Sequence, residues 1–410
     1  MRPNVSVSIL NGGLNLANPS ENGTSVLLVA SPLAPVAGYG VAFLCRNKKE
    51  VETAFAQAGN EAVVTAINNG FYAEAPEGTK LYVLAMAPTT TLKTLVSAAN
   101  ANKPLNLATS QARLLAAVKF PSGAYVPEIT DGFDTDVHNA VVDAQTLADA
   151  WLAQKRPFRF FIEGFAFAAA AAAKDYSTDN KRNGAIIVGK INDSTAQLTL
   201  LAMGRAASGE PQQNIGRIKS GALKIAETAV VKIGANTIEL TDTTDLETLH
   251  TKRYIVIERN EIGTGYVFND DNMLTEPADD FNNLANGRVI DNATRVAYLA
   301  YYQELKDDVF VDEDGRLNAA AEKALETKIE MAIANQMSGQ LSQKKDGSPS
   351  VKCLVNPDAN KYAALYASAG ITNPNFNILQ TNTVYIFLQV QPKGCLKYIN
   401  VYLGLTSNLN

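Results

Sequence analysis

Between Thr24 and about Arg205, short apolar runs of strand type take turns with longer segments of helical period, and this alternation restricts the chain to a layered α/β architecture. The strand-type runs cover 25–30, 81–87, 159–163 and 185–188; the helical segments cover 47–57, 61–73 and 135–154. Asn47 followed by Glu50 has the form of a capping box with Asn as the cap. In 135–154, Val137, Val141, Ala144, Ala148 and Trp151 share one stripe, which fixes a single buried face. Further strand candidates, 229–233 and 254–258, follow among turn-rich connections. The acidic stretch 269–280 contains Pro277 and has no period, the pattern of a loop crossing between domains.

Two helices are expected next. Ile290, Ala293, Ala297, Tyr301 and Leu305 line one stripe, and after Asp312-Glu313-Asp314-Gly315 a longer helix begins near Leu317. Its apolar residues stand at four-residue steps: Leu317, Ala321, Leu325, Ile329, Ile333, Met337 and Leu341. Each step overshoots a full turn by ~40°, so the ridge winds toward different neighbours at its two ends. Gly347 and Pro349 stop it. The expected fold is α/β and α+β, multidomain, since 410 residues hold two or three domains at ~150 residues each.

Both ends of the chain are strand-forming. Val5, Val7 and Ile9 alternate with Ser6 and Ser8, and 14–23, rich in Asn, Pro, Ser and Gly, tethers that strand as an extended linker. At the other end, 383–391 and 396–405 read as strands separated by Pro392-Lys393-Gly394, with Ile399, Val401 and Leu403 alternating with Tyr398, Asn400 and Tyr402. Strands outside a compact domain expose unpaired backbone groups, which proteins cover or add to the sheet of another chain. The two arms point to assembly.

The remaining composition excludes several classes. A net charge of −5, with no Lys/Arg cluster longer than a pair, is unlike a nucleic-acid binder. The longest apolar stretch, 165–173, is about half a membrane span, so neither membrane insertion nor a classical export signal is expected. Cys45, Cys353 and Cys395 are odd in number, widely spaced and read as reduced.

Catalytic patterns fail in detail. Gly184-Ala185-Ile186-Ile187-Val188-Gly189-Lys190 fits the spacing of a phosphate loop, but Ile191 stands where Ser or Thr must hold magnesium, and Ala-Ile-Ile-Val is a buried strand. His138 and His250 lack partners at ligand spacing. The acidic groups Asp131/Asp134/Asp136, Asp270/Asp271, Asp279/Asp280 and Asp312/Glu313/Asp314 do not match a calcium loop and read as solvated loops or helix-start charges. No catalytic, cofactor-binding or metal residue is assigned, and no cofactor is expected.

Several stretches resemble the contractile tail-sheath proteins of phages and related injection systems. They are 201–207 with Asn214-Ile215-Gly216-Arg217 and Ser220-Gly221-Ala222-Leu223; Gly265-Tyr266-Val267-Phe268-Asn269-Asp270-Asp271; and the longest, Leu284-Ala285-Asn286-Gly287-Arg288-Val289-Ile290-Asp291-Asn292-Ala293-Thr294-Arg295-Val296-Ala297-Tyr298. The opening 5–14 and the closing 384–403 are also similar, whereas 43–202 carries little of the likeness. The resemblance implies a structural subunit rather than an enzyme. Such a subunit polymerises helically around an inner tail tube, meets baseplate and terminator proteins, and contracts to drive the tube through a target envelope. It implies assembly in the bacterial cytoplasm as part of a virion tail or contractile particle. From the residues alone, another virion or shell protein and a strand-swapped oligomeric enzyme remain alternatives.

Combined with the arms, the resemblance implies a discontinuous assembly domain. The expected segments are an N-terminal strand arm and linker at 1–23, an outer α/β domain at 24–205, a smaller β-containing segment of the outer body at 206–280, and an inner assembly domain with its C-terminal arm at 281–410. Gln340, Gln343, Lys344 and Lys345, at the far end of the winding helix, are the candidates to face the tube, because weak ionic contacts hold it and still let go. The competing reading is that both lysines complement the helix C-terminus.

Overall fold

The computed structural model describes residues 21–109, 111–238, 244–261 and 263–397, in two compact units that divide between Leu305 and Lys306. The first is built on an eight-stranded sheet of β1 (Ser25–Ala30), β2 (Ala42–Cys45), β3 (Leu81–Met86), β4 (Leu114–Lys119), β5 (Arg159–Glu163), β6 (Gly184–Val188), β7 (Ile255–Arg259) and β8 (Tyr266–Phe268). Their order is β8-β7-β6-β5-β4-β1-β3-β2. The inner strands run parallel, with β2 and β8 antiparallel at the edges. Every residue of β1, β4, β5 and β6 is buried, the signature of parallel strands covered on both faces.

Parallel neighbours need long crossovers, which α1 (Lys48–Ala54), α2 (Glu61–Ala66), α3 (Leu92–Val96), α4 (Ala98–Leu107), α5 (Thr135–Ala153), α6 (Thr195–Ser208) and α7 (Thr244–Thr251) help to supply. The expected cap is present: Asn47 Oδ1 accepts the Glu50 amide at 2.9 Å, while Glu50 reaches back to the Arg46 amide at 2.8 Å. The stripe Val137, Val141, Ala144, Ala148 and Trp151 on α5 is buried throughout. α2 runs on into a π turn, Ile67–Phe71, against which α6 lies backbone to backbone. A Cβ at Gly204 would stand 2.4 Å from the Phe71 carbonyl oxygen and one at Gly70 2.7 Å from that of Gln197, so both positions require glycine.

Two expectations about layout are corrected in this unit. The stretch 269–280 does not cross between the two units: 270–275 are buried within the first, and Glu276, Pro277, Ala278 and Asp280 are exposed on it. Asp271 lies at the start of α8 (Leu284–Tyr302), where its Oδ2 accepts the Ala285 amide at 2.9 Å and its carbonyl accepts that of Leu284. α8 therefore belongs to the first unit, and the division falls after Leu305 rather than at 280/281. Within residues 206–280, β7 and β8 extend the same sheet.

The expected stripe on α8 is also displaced. Leu305 lies beyond the helix and is 65 % exposed, while the buried face carries Arg288, Asp291, Asn292 and Arg295 beside Val289, Ala293 and Val296. The reason is an ion pair. Arg159, at the start of β5, donates through Nε and Nη2 to both carboxylate oxygens of Asp291 at 2.8 Å, and Nη2 also reaches the Gly287 carbonyl at 2.9 Å. A Cβ at Gly287 would stand 2.6 Å from that guanidinium. Gly287 and Asp291, one turn apart, thus form the two jaws of a clamp on Arg159.

The second unit contains α9 (Ala319–Met337), β9 (Val351–Val355), α10 (Ala363–Ser368), α11 (Ile378–Thr381) and β10 (Ile386–Val390). β9 and β10 form a two-stranded antiparallel sheet, with Val351 opposite Val390 and Val355 opposite Ile386. Asn318 caps α9 by accepting the Ala321 amide at 2.8 Å. α9 packs on β9, and Ile329, Ile333, Met337, Val351, Cys353 and Val355 are buried.

Candidate assembly surface

The two edges of the β9–β10 sheet are treated differently. Cross-strand bonds at Asn356–Tyr385 and Ser350–Gln391 fix the parity of the ladder, so the amides of Cys353 and Val355 point outward from β9. There Glu330 Oε1 accepts the Cys353 amide at 2.9 Å and Glu326 Oε1 the Val355 amide at 3.1 Å, while Glu322 Oε1 lies 3.4 Å from Asn356 Nδ2. Glu322, Glu326 and Glu330 stand at four-residue intervals, the spacing that puts them on one face of α9. Burial raises the Glu322 carboxyl above its ordinary range. A row of helix carboxylates therefore seals the β9 edge.

On β10 the same parity turns the amides of Ile386, Leu388 and Val390 away from β9, and among the described residues no hydrogen bond reaches them. Their side chains are half-buried. An open strand edge beside partly uncovered apolar side chains is the geometry that accepts one more strand. Sequence reasoning missed this edge and its sealed counterpart, although the four-residue spacing of the glutamates was visible.

The tube-facing candidates are not on a helix. α9 ends at Met337, and Leu341 and Gln343 form bridges with Pro392 and Pro349. Gln340 is buried, its carbonyl accepting the Lys393 amide at 3.1 Å. Gln343, Lys344 and Lys345 are exposed in a tight turn where the Lys344 amide donates to the Ser348 carbonyl at 2.8 Å and Gly347 has φ +84°. Neither lysine sits at the helix terminus, so neither complements its dipole. The arm residues Val5, Val7, Ile9, Ile399, Val401 and Leu403 lie outside the described residues.

In an open α/β sheet, ligands bind beyond the carboxyl ends of the strands. That position is filled here. Lys119, closing β4, pairs with Asp134 at 2.8 Å and Asp136 at 3.3 Å, under the rings of Tyr125 and Phe165. Burial lowers its basicity, but bonds to Asp134 and Tyr125 and the charge of Asp136 push it above the ordinary lysine value. Glu163, closing β5, accepts the Lys119 amide at 2.7 Å and the Thr195 hydroxyl, and burial pushes its carboxyl up to about 7. Asp134 and Asp136 are helix-start charges, as expected: Asp134 caps α5, and Asp136 accepts the Leu92 and Lys93 amides of α3. Lys190, the last residue of the phosphate-loop look-alike, pairs with Asp193 at 2.9 Å, and the segment before it is strand β6.

A sequence profile described as DUF2586, N-terminal domain matches residues 2–272. The chain belongs to this family. No curated protein matches it. Among solved structures, the anti-feeding prophage (AFP) helical sheath in its contracted state aligns at TM-score 0.59 and 15 % identity, over 99 % of both chains. The sheath complex of an extracellular contractile injection system, PVC, also contracted, aligns at TM-score 0.61 and 12 % identity, over 99 % of this chain and 98 % of that one. A chain of the AFP baseplate aligns at TM-score 0.55 and 14 % identity over 99 % of each. This member of the family therefore has the fold of contractile-sheath subunits along nearly its whole length. The resemblance read from 201–298 and the fold agree, and the structure explains the longest stretch as the α8 clamp.

Proposed function

We propose that the chain is a subunit of a contractile sheath, which polymerises helically around an inner tube and shortens to drive it through a target envelope. One observation carries this reading: a two-stranded sheet sealed on the β9 side and, among the described residues, open on the β10 side, in a sheath fold whose sequence has strand-forming patterns at both ends. Addition of a neighbour's strand along Ile386, Leu388 and Val390 completes the sheet, with Val5/Val7/Ile9 or Ile399/Val401/Leu403 as the added strands. Such tethers keep subunits connected while their other contacts rearrange, which a two-state lattice requires. The inner tube and baseplate are its partners in this reading.

Electron microscopy of purified protein tests it. Hollow, helically striated cylinders are expected from the full chain, and soluble folded monomer from a chain lacking residues 1–13. Leu388→Pro removes one outward amide without touching the β9 ladder, so it should also fold and fail to polymerise. Closed shells or compact rings from the full chain, or cylinders of normal length from either variant, would sink the proposal.

A further inference from the structure

Behind the α8 clamp lies a cluster of buried arginines, with the carboxylates of Glu21, Glu210 and Asp271 acting on them beside Asp291. Arg113, Arg288 and Arg295 crowd the same region, while both oxygens of Asp291 already bind Arg159. Beside them is a cavity of about 10 Å³, lined by Asn22, Arg113, Pro211, Arg288, Asp291 and Asn292. Arg288 is 4 % exposed. Its Nη2 lies 3.3 Å from the carbonyls of Asn22 and Gly209, but among the described residues Nη1 has no acceptor, and neither do Nε and Nη1 of Arg113. Three buried guanidinium donors on two cations thus lack a partner where native proteins satisfy nearly all such atoms.

We propose that Arg113 and Arg288 hold one small monovalent anion, of the halide class, in this cavity. Size sets the first limit: the cavity is small, which favours a single monatomic ion over the larger oxyanions sulfate and phosphate. Charge sets the second. The unpaired atoms are all donors on cations, and burial with the repulsion of Arg113 pushes Arg288 down to about 10. An anion accepts from all three donors at once and carries no hydrogens of its own, whereas a water offers two lone pairs and must turn its hydrogens toward the cations. Asp291 on the same wall limits the occupant to one charge. Because the Asn22 carbonyl and side chain are held by Arg288 and Asn292, the ion also secures the root of the N-terminal segment against α8. The site lies wholly within the first unit and does not depend on polymerisation.

Thermal unfolding of the full chain is compared in gluconate, chloride and bromide at equal ionic strength, with ³⁵Cl NMR as the direct probe. Chloride and bromide should raise the midpoint saturably by about 2–4 °C over gluconate. The folded protein should broaden the ³⁵Cl line, and bromide should reverse the broadening. Arg113→Gln should lose both effects; if it does not fold, Arg288→Lys, which keeps the charge and loses the fork, carries the comparison. Equal midpoints in all three salts, an unbroadened ³⁵Cl line with wild type, or halide effects that survive in a folded variant would overturn the proposal.

Discussion

The eight-stranded sheet of the first unit and the two-stranded β9–β10 sheet of the second resolve their edges in opposite ways. The eight-stranded sheet ends in short antiparallel strands, β2 and β8, and sits in a continuous apolar core that runs from Val26 to Leu284. The two-stranded sheet of the second unit has one helix on one strand and a partner strand whose outer edge is unpaired among the described residues, and none of its residues belongs to that core. A two-stranded sheet is marginal in water without a third strand or a covering helix. On the proposed function, the first unit is the body and the second is the sheet to which a neighbour's strand is added. The lesson is that edge treatment, more than size of core, separates a body from a connector.

The largest effect expected from this contrast is at the α8 clamp. Asp291→Ala leaves Arg159 buried without its carboxylate, among three further arginines, and should lower the stability of the first unit by about 3–5 kcal/mol in urea unfolding. A loss below about 1 kcal/mol would mean that the first unit does not depend on its own ion pair. Glu163 gives the next effect. Its carboxyl titrates at about 7 when folded and near 4.5 when unfolded, so the folded state holds the extra proton between those values. Stability is therefore greatest below about pH 4.5 from this group and falls as pH rises toward 7, by about 3 kcal/mol over the window. Glu163→Gln keeps both hydrogen bonds, its carbonyl accepting from Lys119 and its amide donating to Thr195. An urea-unfolding pH series should lose that slope in the variant; an unaltered slope assigns the titration elsewhere.

Much of the first unit was readable because its strands are buried on both faces, so apolar runs such as Val26-Leu27-Leu28-Val29 mark them without any partner being known. β4 escaped notice although it is as buried as β1, and α6 did so because it is packed on all sides and shows no stripe. α8 misled for a related reason: its inward face is charged, and apolar periodicity cannot register a buried ion pair. In the second unit, Leu341 continued the four-residue ridge of α9 by coincidence of spacing. It is buried, but it lies beyond the end of the helix, in a segment that bridges Pro392. The open edge of β10 was invisible because it is defined by which amides lack partners, a property of pairing parity rather than of residue type.

A smaller effect sharpens the contrast from the other side. Glu330→Ala uncovers the Cys353 amide and should cost about 1–2 kcal/mol in the second unit, seen as faster hydrogen exchange at Cys353 and Val355 with the first unit unchanged. With both edges of the small sheet then open, irregular association is expected in place of ordered cylinders. Exchange rates identical to wild type would show that the carboxylate row does not seal β9.

The smallest expected effect concerns Lys344 and Lys345. Both are exposed at the tip of a turn, beside Asp346, whose carboxyl is held below the ordinary range first by the Ser348 hydroxyl and amide. Exposed ion pairs are worth about 0–1 kcal/mol each and are screened by salt, so on the proposed function a ring of such contacts would hold an inner tube and let it slip when the lattice shortens. A turn is better suited to this than a helix end, because its tip projects charge without committing apolar area to the contact. Gln343 shares the turn and remains a candidate with them, whereas Gln340 is buried and acts within the unit. Charge reversal of both lysines to Glu should leave sheath-only cylinders intact and weaken tube co-assembly, most strongly at low ionic strength. Tube recruitment equal to wild type at low salt would place the tube contact on another surface.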